Sequence, residues 1–204
     1  MKNCIYINLS IALIFTSIAF AQDNIVEEVI VTATKTEKTL QEVPVAVSVI
    51  TSDELEKATI IDTFDLKSII PSLDTRQYQS STNATFFIRG FGNGSNNPGI
   101  EPSVALFVDG VYRSKTQSQL ADLPMLERVE VLRGPQSTLF GKNASAGVIN
   151  IVTKKPSFDK SGMMSLGVGK YNSKIGKIYT TSPINEKTAY SFNANFNKRD
   201  GSSD

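Results

Sequence analysis

The chain has 204 residues, with 21 Lys and Arg against 20 Asp and Glu, no histidine and one cysteine. The missing histidine removes the commonest general base, the Ser-His-Asp arrangement and any His-based zinc or iron site. The near-neutral balance supplies no basic surface for nucleic acid. The acids stand singly, as at Asp53, Asp62, Asp65, Glu101, Asp109 and Glu130, a distribution of surface charges and caps rather than a paired acid–base site. The expectation is a protein that is not an enzyme and uses no cofactor or metal.

Residues 1–21 have one lysine, an apolar run from Leu9 to Phe20, and Ala19 and Ala21 ahead of Gln22. This predicts a secretory signal cleaved after Ala21, since the run is shorter than the ~20 residues that span a bilayer. Cys4 leaves with the signal, so the mature chain holds no disulfide or cysteine nucleophile. Losing Lys2 leaves 20 basic against 20 acidic residues.

Residues 22–42 contain the β-branched stretch Val29–Ala33 between charged flanks. With no partner strand evident nearby, it reads either as an extended segment that joins the edge of another sheet or as an ordinary first strand. From Val43 to Pro156 the pattern is that of a compact α+β domain, a small mixed sheet with short helices. Val45, Val47 and Val49 alternate with Ala46 and Ser48, predicting a strand. Ser52 or Asp53 is expected to cap a short helix over 53–58, and a second helix is expected over 62–70, stopped by Pro71. A strand at 86–88 runs into a Gly- and Asn-rich surface loop. Asp109-Gly110 predicts a hairpin turn between 106–108 and 111–112.

The segment Arg128–Lys142, RVEVLRGPQSTLFGK, raises a nucleotide-loop question because it carries Gly-Lys. Six residues separate Gly134 from Gly141 where the phosphate loop has four, Asn143 stands where its hydroxyl should, and Pro135 removes an amide donor. We therefore read it as a strand with Val129 and Val131 on one face and Arg128, Glu130 and Leu132 on the other, a Gly-Pro turn, and a link to the strand 147–153. Residues 157–204 hold three strand-like stretches. In the last, Tyr190, Phe192, Ala194 and Phe196 alternate with Ser191, Asn193, Asn195 and Asn197, which suits a strand between lipid and a wet lumen, or one in a soluble sandwich.

Taken together, EEVIVTA from Glu27 to Ala33, Ile88-Arg89-Gly90, Val108-Asp109-Gly110-Val111 and the run from Glu127 to Pro156 resemble the N-terminal part of a TonB-dependent outer-membrane receptor of Gram-negative bacteria. The resemblance covers the mature chain. It implies a signal (1–21), a TonB-box segment (22–42), a plug domain (43–156) and the first antiparallel strands of an incomplete transmembrane β-barrel (157–204). It implies energised uptake of a scarce nutrient such as an iron-siderophore, haem, cobalamin or an oligosaccharide. TonB, the outer membrane and the transported ligand are the implied partners.

On the same basis, Glu28, Val29, Ile30, Val31, Thr32 and Ala33 are the expected TonB-binding residues, given up as an added β-strand. Arg89, Glu130 and Arg133 are expected at the contact between plug and barrel, the arginines pairing with barrel glutamates; bare solvent-exposed strand ends are the other reading. Phe91, Asn93, Asn96 and Asn97 are placed on a loop facing the ligand. Three strands cannot close a barrel, since an open edge in hydrocarbon leaves backbone groups unsatisfied. The expectation is therefore a fragment or truncation of a receptor, with a stand-alone secreted or periplasmic binding module as the alternative.

Overall fold

A computed structural model describes residues 30–32, 38–60, 62–77, 84–93, 99–114 and 125–200. The expected signal lies outside the described residues. At the centre is a five-stranded mixed sheet. It is built from β3 (Ala46–Thr51), β6 (Val104–Val108), β7 (Val111–Tyr112), β8 (Leu126–Arg133) and β9 (Gly147–Thr153), in the order β3-β8-β9-β6-β7. Three of its four neighbouring pairs are antiparallel, and β6 runs parallel to β9, with Val104 opposite Gly147 and Val108 opposite Ile151.

Both faces of this sheet are covered. On one, Ile50, Val129, Val131, Ile149, Ile151, Val104 and Leu106 pack under Leu55, Leu66, Ile70 and Phe86. Leu55 comes from helix α1 (Ser52–Lys57), and Phe86 from a hairpin of β4 (Leu73–Gln77) and β5 (Ala84–Ile88). On the other face, Leu132, Val148, Ala105 and Phe107 pack with Val31, Val43 and Ala144, joined by Val45, Val47 and Val49. The expected alternation of β3 is thus realised, and because both faces are buried, β6 and β9 are nearly continuous apolar runs.

Local signals that name their own geometry were readable. Asp109 and Gly110 take φ of 48° and 79° in the predicted turn, the positive-φ pair that such a two-residue hairpin requires. Asp109 also accepts from Thr153 through N–H at 2.8 Å and Oγ1 at 2.7 Å, tying the turn to the end of β9. Three expectations change. The cap of α1 is Thr51, whose N–H donates to Glu54 at 2.9 Å, one half of a capping-box exchange. The stretch 62–70 is a turn followed by a 3₁₀ helix at Asp65–Ser68. The Asp62 carboxylate accepts from Phe64 N–H at 2.7 Å, and such local bonding competes with a regular helix. Third, Ile30–Val31 (β1) has a near partner, pairing antiparallel with Lys38–Thr39 (β2).

Beyond β9 the chain forms a separate antiparallel sheet of β10 (Ser161–Gly169), β11 (Ser173–Asn185) and β12 (Thr188–Lys198), in that order. It does not close into a barrel. Its inward side rests on the plug through Tyr179 and Thr181, both buried. Thr181 Oγ1 accepts from Ser157 N–H at 2.8 Å, and the Lys154 ammonium stands 5.6 Å from the Tyr179 ring. A cleft of about 290 Å³ lies between the two bodies, lined by residues including Leu55, Ile60, Met125, Met163 and Lys177.

Candidate functional site

The expected TonB-binding segment is partly described: Glu28, Val29 and Ala33 lie outside the described residues, while Ile30, Val31 and Thr32 do not. Val31 is fully buried in the second apolar cluster. Beside it, Thr32 donates its N–H to Glu130 Oε1 at 2.9 Å and bonds the same oxygen through its hydroxyl at 3.2 Å.

Glu130 has no exposed surface. It sits mid-strand in β8, directly opposite Asn150 of β9, whose Nδ2 donates to Oε2 at 3.0 Å; Arg128 Nε donates to Oε1 at 2.7 Å. The carboxylate is therefore turned into the plug and engaged there on both oxygens. That separates it from Arg89 and Arg133, with which the sequence grouped it as a wall contact. A buried charge without such partners would cost several kcal/mol, so the four donors are a condition of its presence in the core.

Asn150 and Arg128 were not singled out from the sequence. A signal for Asn150 was present: GVINIV and RVEVL each interrupt an apolar strand with one polar residue, and these two residues face each other in the ladder.

Arg89 and Arg133 follow Ile88 and Leu132, two residues that both approach Gly147. Arg133 ends β8 opposite Gly147, and a Cβ built on Gly147 would stand 2.6 Å from Ile88 Cδ1, one residue before Arg89. Arg89 and Gly90 form the turn of a tight loop, at φ of 54° and 82°, closed by reciprocal backbone bonds between Ile88 and Phe91. Arg89 is exposed. Arg133 Nε is buried and has no hydrogen-bond partner among the described residues, an arrangement that calls for an acceptor from outside them.

Of the loop expected to face a ligand, Asn96 and Asn97 lie outside the described residues. Phe91 is 71% exposed, and Asn93 Nδ2 donates to Glu101 O at 2.7 Å. Lys142, the residue of the nucleotide-loop question, pairs with Glu101 at 2.9 Å at the surface. The amides around it are engaged internally: Gly134, Gln136, Phe140 and Gly141 donate to Ala146, Ala144, Gln136 and Ser137. A phosphate cradle needs those donors free. A four-residue helix, α2 (Ser137–Phe140), occupies this stretch, and no cluster of metal-ligating acids, His or Cys occurs among the described residues.

The three-stranded sheet sorts its residues by side. Ser165, Lys177, Tyr179, Asn193 and Asn195 line up toward the plug; Met164, Leu166, Ile178, Phe192 and Phe196 line up on the opposite face. On that outer face Met164, Leu166 and Val168 are 69%, 75% and 90% exposed. Lys174 and Lys198 stand opposite each other beside Val168 at its end.

The family model for the TonB-dependent receptor plug domain matches residues 39–148. Over 181 residues the chain is 32% identical to the pesticin receptor of Yersinia pestis, covering 87% of this chain and 26% of that protein. It is 31% identical to an iron-regulated outer membrane virulence protein of Vibrio cholerae, covering 78% of this chain and 25% of that protein. The chain thus spans about a quarter of the length of these relatives. Among solved structures, the ferric yersiniabactin uptake receptor of Yersinia pestis superposes with a TM-score of 0.65 at 32% identity, covering 70% of this chain and 22% of that one. The ferripyoverdine receptor of Pseudomonas aeruginosa shares the fold, with a TM-score of 0.66 at 20% identity over 81% of this chain and 22% of that one. The chain's central mixed sheet is that of a plug domain with antiparallel strands following it, and the chain belongs to the TonB-dependent receptor family.

Proposed function

We propose that the chain supplies the plug and first wall strands of an outer-membrane receptor, exported by its N-terminal signal, that takes up a scarce metal chelate or similarly bulky nutrient. TonB energises it by grasping residues 28–33. The observation that carries this reading is the outer face of β10–β12. A contiguous, exposed band of Met164, Leu166, Val168, Ile178, Phe192 and Phe196 suits hydrocarbon, while the side toward the plug carries Lys177, Asn193 and Asn195. Lysines at the end of the band suit the headgroup level.

The remaining parts agree. β1 pairs only with β2 among the described residues, which leaves its other edge open to an added strand. Arg133 Nε, without a partner among the described residues, suits a carboxylate on a surrounding wall, and exposed Arg89 is free to reach one; Glu130 is the exception, since it faces inward. Phe91 and Asn93 flank the loop proposed to meet ligand. Relatives include a ferric yersiniabactin uptake receptor, a ferrioxamine B receptor and a vitamin B12 transporter, and these names support a large chelate as the substrate class. A transport role leaves no enzymatic step to assign.

A cysteine at Ile30, crosslinked in cells, tests the TonB contact. A crosslink to TonB that rises with ligand is expected, and its absence would overturn the energised-receptor reading.

A further inference from the structure

We propose that Glu130 is the receptor group of a latch that holds residues 30–32 on the plug, and that Thr32 is the residue this latch selects. The site is an acceptor notch formed by Glu130 with Arg128 and Asn150 beside it, with Val31 buried on one side and Leu132 and Val148 among its walls. Its ligand is an extended peptide that offers a backbone N–H and a β-hydroxyl from the same residue.

Thr32 supplies both groups. Its N–H and hydroxyl reach Glu130 Oε1 at 2.9 and 3.2 Å. The same hydroxyl oxygen lies 3.3 Å from Asn150 Nδ2 and 3.4 Å from Arg128 Nη2. A hydroxyl has one proton to give and two lone pairs to fill, and here it donates to the carboxylate while accepting from the amide and the guanidinium. Valine has the same shape and can do none of this; serine can do all of it. Bonds to an ionised, buried acceptor are the strong ones.

Among the described residues, little else fastens the segment. β1 contributes two paired residues, and Val31 contributes its burial. Thr32 therefore concentrates the attachment at one residue, and withdrawing it opens a buried carboxylate to water. Because Glu130 and Arg133 share β8, a pull applied at Thr32 loads the strand that ends at the proposed wall contact. The purpose of the latch rests on the proposed TonB reading; its existence does not.

The test uses the full chain as its gene encodes it, in envelopes from cells lacking TonB, with Cys4→Ser and a reporter Val31→Cys. The readout is the rate of reaction with a maleimide. Val148→Cys, at a fully buried position, reports in parallel on the fold. The parent and Thr32→Ser should stay protected. Thr32→Val and Glu130→Gln should each react about tenfold faster or more, and the combined variant no faster than the quicker single one, because both remove the same contact.

Thr32→Val reacting at the parent rate, or effects that simply multiply in the combined variant, would overturn the latch. Where Glu130→Gln also exposes Val148→Cys, the comparison of Thr32→Val with Thr32→Ser decides alone. Failure of the TonB crosslink with this pattern intact removes the TonB reading and leaves the latch; the reverse removes only the latch.

Discussion

Replacing Gly147 by alanine tests the close approach of β9 to Leu132 and Ile88. A Cβ at this position would lie 2.5 Å from the Leu132 carbonyl oxygen and 2.6 Å from Ile88 Cδ1. The Ile88 methyl can turn away, but the carbonyl belongs to the β8 backbone and cannot. Relief requires β8 and β9 to separate where Arg133 faces Gly147. Overpacking of this kind costs about 1–3 kcal/mol, and one weakened ladder bond adds about 0.5–1.5 kcal/mol. A total near 2–4 kcal/mol is therefore expected. In urea, at a slope of roughly 2 kcal/mol per molar for a small domain, this moves the midpoint down by about 1–2 M. Pulse proteolysis of the full chain across a urea series measures it. Gly134→Ala is the comparison, at φ of 96° but with nothing within 4 Å of its Cβ, so it carries only the left-handed backbone cost of about 1–2 kcal/mol. Equal midpoints for the two variants would refute the close-approach argument and leave only the positive φ of 157° at Gly147.

The sidedness of the β10–β12 sheet predicts that Phe192→Lys costs about 2–4 kcal/mol of membrane assembly, whereas Asn193→Lys on the opposite side is tolerated. The yield of heat-modifiable protein in the outer-membrane fraction checks this, and equal yields would count against the lipid-facing assignment. Asp109→Ala removes two bonds to Thr153 and a residue suited to positive φ. A loss of about 1–3 kcal/mol is expected by the same proteolysis assay. Asp109→Asn should cost less, since asparagine tolerates that φ and keeps one acceptor oxygen.

Much of the fold was legible because it is encoded over a few residues. The Asp109-Gly110 turn, the alternation of β3 and the Gly134-Pro135 break after β8 each state their geometry locally. The same holds for β12, whose period-2 sorting of aromatics and asparagines gives two unlike faces. Where local signals competed, reading failed. Asp62 accepts from the Phe64 N–H and turns the expected helix at 62–70 into a turn and a 3₁₀ helix, and Thr51 rather than Ser52 or Asp53 takes the cap. The four-residue α2 has no apolar period from which to be read.

The site divides in the same way. The motifs Ile88-Arg89-Gly90 and Leu132-Arg133-Gly134 were visible in the sequence as separate arginines, but that Ile88 and Leu132 both approach Gly147 is decided by the packed fold. The misspaced Gly-Lys segment could be dismissed as a nucleotide loop on spacing, while the fold adds that its amides are already engaged. Glu130 could be placed on the face of β8 opposite Val129 and Val131, yet which way that face looks depends on what covers it. Its partner Thr32 is 98 residues away along the chain. Composition and periodicity by themselves determined the excluded chemistries, the strand faces and the turn positions, because those follow from side-chain type and a period of two. Only the tertiary structure decided that β6 lies parallel to β9, that both sheet faces are buried and that the carboxylate of Glu130 ends beneath the N-terminal segment. Contacts between distant segments are chosen by the free energy of the whole packed arrangement, and no short window of residues contains that sum.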